Sequence, residues 1–281
     1  MKTERESEMT ILDTKVMQGF IRLCNDGWKQ GYHERNGGNL TYRMTEEEVR
    51  SVRPYFYAPG EWISLGVTVE NLAGETFLTT GTGKFFQNVI LDPESSVGIA
   101  EINDRGDAYR LVWGLNGGKD RPTSEFPSHL LNHSVKKSVN PDYRVIYHAH
   151  PVGVIALTFI LPLDAKVITN ALWRTMTECP IIFPGGVAIV PWMMPGGIEI
   201  ARETSKYMTD FDVVLWAHHG IFCAGTTFDN TFGLMHTVEK SAQIYLTILN
   251  TGKPILQTIT DEQLLAIEKD FHIQLNHDFL G

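Results

Sequence analysis

Cysteine is scarce in this chain. Cys24, Cys179 and Cys223 are an odd and widely spaced set with no CxxC pair, so no disulfide framework is expected. They are read as packing residues in apolar surroundings, and a reducing cytoplasm suits them. Basic charge is also short. Against 33 Asp and Glu there are 24 Lys and Arg, a net charge of −9, which argues against a nucleic-acid partner. No apolar run reaches the roughly 18 residues of a membrane span, so none is expected. Met1–Glu8 is charged throughout and has no apolar core, which excludes a secretory signal there. Repeats, low-complexity tracts and Gly/Ser-rich linkers are missing as well. What remains is 281 residues, 43% of them hydrophobic, with helical and extended patterns alternating from end to end. That pattern implies one α/β domain over residues 1–281.

The most informative stretch is Val145-Ile146-Tyr147-His148-Ala149-His150-Pro151. It reads as a strand ending in two histidines. Residues two apart on a strand share a face, with Cα atoms roughly 6.5 Å apart, so the two imidazoles can converge on one metal ion. An HxH pair alone is equally an edge-strand feature without a ligand. A third histidine decides between the two, and Phe211–Trp216, a strand of strong β-formers, runs into Ala217-His218-His219-Gly220. One of His218 and His219 faces the site and the other faces away, because adjacent strand residues diverge. Three imidazoles at two strand ends make a three-ligand site with room for substrate. Zinc is the first choice, with Mn, Co and Fe open on residues alone.

Two Gly-rich turns stand out. Glu34-Arg35-Asn36-Gly37-Gly38-Asn39 precedes the strand Leu40–Arg43, and Gly81-Thr82-Gly83-Lys84 follows the strand Thr76–Thr80. Neither is a Walker A loop or a dinucleotide fingerprint. Free N–H groups, amide donors and the Thr82 hydroxyl suit a phosphate monoester, although Asn and Gly are also ordinary turn residues. Lys84 after its glycine turn is read as a phosphate or structural residue rather than a Schiff-base lysine.

The other elements follow from periodicity and caps. Residues 14–31 form a helix with Met17, Phe20, Ile21, Cys24 and Trp28 as its apolar stripe. Thr45 opens a capping box, and residues 54–70 are irregular. Strands over 96–103 and 107–114 pair as a hairpin. A helix begins near Pro122, with Thr123 or Ser124 as cap and Glu125 in its first turn. The continuous apolar run Gly153–Phe159 predicts a buried helix from Pro151. A short helix covers Asn170–Cys179, and strands cover Pro180–Phe183 and Val187–Val190. An amphipathic helix covers 197–208 and a long one Asn230–Asn250, with Glu239 and Lys240 solvated or paired. Thr260 caps a last helix.

Taken together, Glu34–Leu40, Thr80–Phe86, Thr123-Ser124-Glu125, His148-Ala149-His150, Thr177-Glu178-Cys179, Phe183–Val187, Pro191–Gly196 and His219-Gly220 resemble the class II sugar-phosphate aldolases of the aldolase/adducin-like superfamily along essentially the whole chain. Glu178 and the Pro191-Trp192-Met193 segment point to the branch that acts on L-rhamnulose 1-phosphate. The resemblance implies a three-layer α/β/α fold around a mainly antiparallel central sheet. It implies one Zn²⁺ per subunit on His148, His150 and His219, the last preferred over His218 because it directly precedes the glycine. It implies Glu125 as general base, and phosphate contacts at Asn36, Gly38, Asn39, Thr82, Gly83 and Ser124, with Thr82 in place of a frequent serine. It further implies a homotetramer with intersubunit active sites, in which Glu178 reaches a neighbour's site. The expected reaction is retro-aldol cleavage to dihydroxyacetone phosphate and L-lactaldehyde in rhamnose catabolism. That chemistry suits the residues: the enediolate left by C–C cleavage needs an electrophile, and neutral imidazoles leave a metal its full charge. Other enzymes of the superfamily, such as L-fuculose-phosphate aldolases and pentulose-phosphate 4-epimerases, share these residues, and an adducin-like interaction domain is the non-catalytic alternative.

Overall fold

The structure, a computed structural model, describes residues 9–281; the charged stretch Met1–Glu8, read as no secretory signal, lies outside the described residues. Among those described, nine strands join one sheet: β1 (Asn39–Arg43), β2 (Ile63–Ser64), β3 (Thr76–Thr80), β4 (Val97–Ile102), β5 (Ala108–Gly114), β6 (Val145–Ala149), β7 (Ala188–Val190), β8 (Val213–Trp216) and β9 (Gly220–Gly225). Their order is β2-β5-β4-β3-β1-β6-β9-β8-β7. All neighbours are antiparallel except the parallel pair β7–β8. The mainly antiparallel sheet expected from the resemblance is what forms.

Strand alternation sends successive side chains to opposite layers. On β6, Val145, Tyr147 and Ala149 pack with Met17 and Phe20 of the helix Lys15–Lys29 and with Met235 and Val238 of the helix Phe228–Asn250. Ile146 turns the other way, to Ile200 and Met208 beside the helix Ile198–Tyr207. On that second side the helix Phe126–Val139 sets Phe126 and Leu130 against Phe77 and Ala100. Both faces are covered, so β1, β3, β6, β8 and β9 are buried along their whole length. His148 is therefore placed on the Ile146 face by register alone.

The Thr45 capping box is present, with Glu48 N–H donating to Thr45 Oγ1 at 3.2 Å and Thr45 N–H to Glu48 Oε2 at 2.7 Å. Several expectations need correction. Pro180–Phe183 is not a strand; it lies in and after the helix Glu178–Ile182. A proline in the first helical turn loses no hydrogen bond, and this permits the helix. The helix expected over Asn170–Cys179 is two helices. One runs Ala165–Trp173 from an Asp164 cap, and Glu178 opens the next. Trp28 ends its helix partly exposed, outside the buried stripe of Met17, Phe20 and Cys24. The helix Val152–Ile160 buries Gly153, Val154 and Leu157, while Val152, Phe159 and Ile160 are exposed on this chain. An unbroken apolar run thus reported hydrophobicity all round, but only one side packs on the helix Phe228–Asn250.

Glu239 is not solvated, and it has no ion pair among the described residues. It is 1% exposed and accepts the N–H groups of Gly153 at 2.8 Å and Val154 at 2.9 Å, at the start of the helix Val152–Ile160. Gln243 Nε2 adds a third bond at 2.7 Å. Burial raises the Glu239 carboxyl above its usual range, and the two backbone N–H donors and Gln243 work against that rise. The Glu239→Leu variant is expected to lose about 3 kcal/mol, the scale for orphaning buried donors. Glu239→Gln, which keeps an acceptor oxygen, is expected to lose less. Urea midpoints at fixed protein concentration measure both, and equal midpoints for the two variants would contradict the capping role.

Candidate active site

The antiparallel register of β1 with β6 sets Asn39 opposite His148, and that of β6 with β9 sets Ala149 opposite Ile221. The site forms where these three central strands end. His148 is the fourth residue of β6, and His150 stands one residue beyond the strand. His219 comes from the β8–β9 turn, not from a strand end as expected. There His218 takes a left-handed backbone, φ 60°. Its amide N–H donates to Thr158 Oγ1 at 3.0 Å, and its ring packs on Phe159 at 4.2 Å. The two neighbouring histidines do diverge, but turn geometry separates them rather than strand alternation.

One nitrogen from each of His148, His150 and His219 lies within 4.8 Å of the others. The outer nitrogens of the first two are committed. His148 Nδ1–H donates to the Ile221 carbonyl at 3.0 Å, and His150 Nδ1–H to Glu34 Oε1 at 2.7 Å. Those bonds fix the tautomers and leave lone pairs on both Nε2 atoms, which face each other at 3.2 Å. Two lone pairs at that distance repel, and a cation between them turns the repulsion into coordination. Burial holds His148 well below the ordinary imidazole range, helped by His150 and His219, and burial lowers His219 to about 4. Neutral rings are the ligand form. The donor set therefore fits a divalent metal. Phe222 stacks on the His148 ring at 4.3 Å and keeps it from rotating.

Glu125 reaches the same place from the next layer. It is not in the first helical turn as expected but is the residue that caps the helix Phe126–Val139, with its N–H on Thr123 Oγ1 at 3.3 Å. Its side chain turns away from that helix. Oε2 accepts from Asn39 Nδ2 at 2.7 Å and stands 3.8 Å from His148 Nε2. Burial raises its pKa, opposed by the Asn39 hydrogen bond. A buried carboxyl with a raised pKa can both give and take a proton near neutrality.

A cavity of about 180 Å³ is lined by the three histidines, Glu125 and all six residues expected to hold phosphate: Asn36, Gly38, Asn39, Thr82, Gly83 and Ser124. A larger cleft of about 590 Å³ lies beside Arg43 and the helix Glu46–Val52 and has no histidine on its walls. The first glycine turn needs its glycines. Gly38 has φ 75°, and a Cβ there would sit 2.7 Å from the His148 carbonyl oxygen. Behind the turn, His33 donates from Nδ1 to the Gly37 carbonyl at 2.9 Å and accepts from the Tyr147 hydroxyl at 2.6 Å. Lys84 pairs with Asp120 at 2.6 Å, the structural role read for it.

Glu178 stands apart from this group. It is exposed at the start of its helix and does not line the cavity of its own chain. Some contributors were not singled out from sequence. Glu34 orients His150, His33 braces the glycine turn, and Thr123 supports Glu125. His33 directly precedes the glycine turn and Glu34 opens it, a proximity that could have flagged their roles. Thr123 differs from any other helix-start hydroxyl only in three dimensions.

Residues 18–246 match the family described as Class II Aldolase and Adducin N-terminal domain. The chain is 42% identical over 266 residues to a rhamnulose-1-phosphate aldolase of Klebsiella pneumoniae (strain 342), covering 94% of this chain and 96% of that one. It is likewise 42% identical over 264 residues to the rhamnulose-1-phosphate aldolase of Escherichia coli (strain SE11), with 94% and 96% covered. Among solved structures, a sugar-phosphate aldolase from Thermotoga maritima superposes with a TM-score of 0.72 at 26% identity, covering 86% of this chain and 99% of that one. An L-fuculose-1-phosphate aldolase from Thermus thermophilus shares the fold at a TM-score of 0.55 and 20% identity, with 85% and 97% covered. By the extent of the family match and its identity to these relatives, the chain belongs to the class II aldolase and adducin family.

Proposed function

We propose that this protein is a zinc-dependent aldehyde-lyase that cleaves L-rhamnulose 1-phosphate to dihydroxyacetone phosphate and L-lactaldehyde, a step of rhamnose breakdown. One observation carries the reading: a three-histidine cluster, a buried carboxylate and two glycine turns line one cavity. The substrate is supported by the 42% identity to enzymes named for it. His148, His150 and His219 would hold one Zn²⁺ per subunit; the all-imidazole set favours zinc. When bound, the metal would supply the electrophile that draws electron density from the ketone during C–C cleavage.

The residues of the chain do the rest. Backbone N–H groups of the glycine turns, with Asn36, Thr82 and Ser124, bind the phosphate and orient the sugar. As the C3–C4 bond breaks, its electron pair stays on C3, and protonated Glu125 delivers its proton there. The C4 hydroxyl gives up its proton and becomes the aldehyde oxygen, and Glu178, or a water it holds, takes that proton. The exposed position of Glu178 suits service in a neighbouring subunit, as in a homotetramer with intersubunit active sites. Residues 1–281 would act as a single domain in each subunit. No helix among the described residues is long and apolar enough to cross a membrane, and three buried free cysteines suit the cytoplasm.

The direct test measures dihydroxyacetone phosphate released from L-rhamnulose 1-phosphate and from L-fuculose 1-phosphate. Faster release from the first is expected. Preference for the second, or interconversion of pentulose phosphates without cleavage, would move the protein to another branch. His150→Ala is expected to lose metal and activity together; elemental analysis showing full zinc occupancy in that variant would remove it from the ligand set. Glu125→Gln and Glu178→Gln should each keep metal, the first with turnover lowered by about 10²-fold or more. Refolding the two variants together should restore part of the activity. No recovery in mixed oligomers would place Glu178 outside the neighbour's site.

A further inference from the structure

Behind Glu125 a line of polar side chains runs into the core. Asn39 Nδ2 donates to Glu125 Oε2 at 2.7 Å. Asn39 Oδ1 is bonded to His129 Nε2. His129 Nδ1 and His133 Nε2 both meet Thr41 Oγ1, each at 2.8 Å. Thr41, His129 and His133 are at most 1% exposed, and Asn39 and Glu125 are 7% exposed. The geometry has a simple origin. Asn39 and Thr41 are two apart on β1 and share a face. His129 and His133 are four apart on the helix Phe126–Val139 and share a face of it.

The hydrogen-bond directions along this line are coupled. Glu125 Oε2 accepts from the Asn39 amide, and it can do so with the carboxyl ionised or with its proton on Oε1, so the amide end of Asn39 points at Glu125. Its oxygen then faces His129, which must carry its proton on Nε2. Burial holds the His129 pKa down to about 3, so the ring is neutral and Nδ1 is left as an acceptor. The single Thr41 hydroxyl proton goes to that nitrogen, and Thr41 accepts from His133 Nε2–H. The line ends at His133 Nδ1, a buried atom with no hydrogen-bond partner among the described residues. In this sense it is an unpaired acceptor, which a protein interior tolerates better than an unpaired N–H. The opposite tautomer of His129 would put its proton on Nδ1, facing Thr41 Oγ1. It would then set an Nε2 lone pair against Asn39 Oδ1.

We propose that His129 is a positioning residue for this enzyme: by donating from Nε2 to Asn39 it locks the amide so that its N–H₂ group, not its oxygen, holds the Glu125 carboxylate. Asn39, expected among the phosphate contacts, thereby acts on the base, and Thr41 and His133 fix the tautomer. The inference rests on the aldolase reading for its rate measurements but not for its structural one.

The side chains of Gln and Asn place an amide near the Nε2 and Nδ1 positions of histidine respectively, and this gives a matched pair of variants. His129→Gln is expected to keep turnover within about threefold, and His129→Asn to lower it by about 10- to 100-fold, the range for removing a supporting hydrogen bond. KM and metal content should stay near wild type in both. Equal turnover in the two variants, or a loss appearing only in KM or metal content, would overturn the proposal. A readout independent of turnover is ¹⁵N-histidine NMR of the wild-type protein. A neutral Nε2–H tautomer at His129 is expected, and an Nδ1–H tautomer would overturn the proposal even if the protein cleaves its substrate well. Failure of the wild type to cleave either ketose phosphate, with the Nε2–H tautomer present, would instead count against the aldolase reading.

Discussion

Two imidazole lone pairs facing each other at 3.2 Å are the tension around which this molecule is arranged. The contact persists because each ring is tied at its far nitrogen, His148 to a β9 carbonyl and His150 to Glu34. Packing against Phe222 removes the remaining rotation of His148. A buried site that holds His148 and His219 below the ordinary imidazole range is a poor place for protons and a good one for a divalent cation. The same burial that depresses the histidines raises Glu125. One physical cause, loss of solvent, thus favours neutral His148 and neutral Glu125 together, because it penalises whichever form carries charge.

Close backbone approach is the second constraint. The chain must pass Gly38 within van der Waals contact of the His148 carbonyl, and Gly220 against that of Ala149, where an added Cβ would collide with the carbonyl oxygen. These glycines let β1, β6 and β9 end together. The first glycine turn, the HxH strand and the His219 turn then open into one cavity. Glu125 arrives from a different layer, carried by a helix whose other side fills the core with Phe126 and Leu130. Packing of that helix and placement of Glu125 are one event. Core and candidate site share residues here: His129 and His133 are buried and belong to the hydrogen-bonded line that ends at Glu125.

Much of this was legible in the chain. The period of two around His148 and His150 implied a shared face, and the structure has one. The Thr45 and Thr260 capping boxes, the hairpin over 96–114 and the helix Lys15–Lys29 all carried local signals strong enough to survive tertiary context. Other readings failed for identifiable reasons. Pro180–Phe183 is apolar and short, and such a run does not distinguish strand from helix. Glu239 reads as solvated or paired because nothing near it in sequence reveals the two backbone N–H groups it caps.

The sequence by itself determined the ligand types, the glycines, the caps and the strand faces, because each depends on spacing within a few residues. Only the tertiary structure decided which histidine of the 218–219 pair turns inward, that Glu125 points at Asn39 rather than along its own helix, and that Glu34 and His129 serve as supports. Those outcomes depend on turn geometry, strand register and helix–sheet packing, which join residues some sixty positions or more apart. No local pattern encodes a partner at that distance.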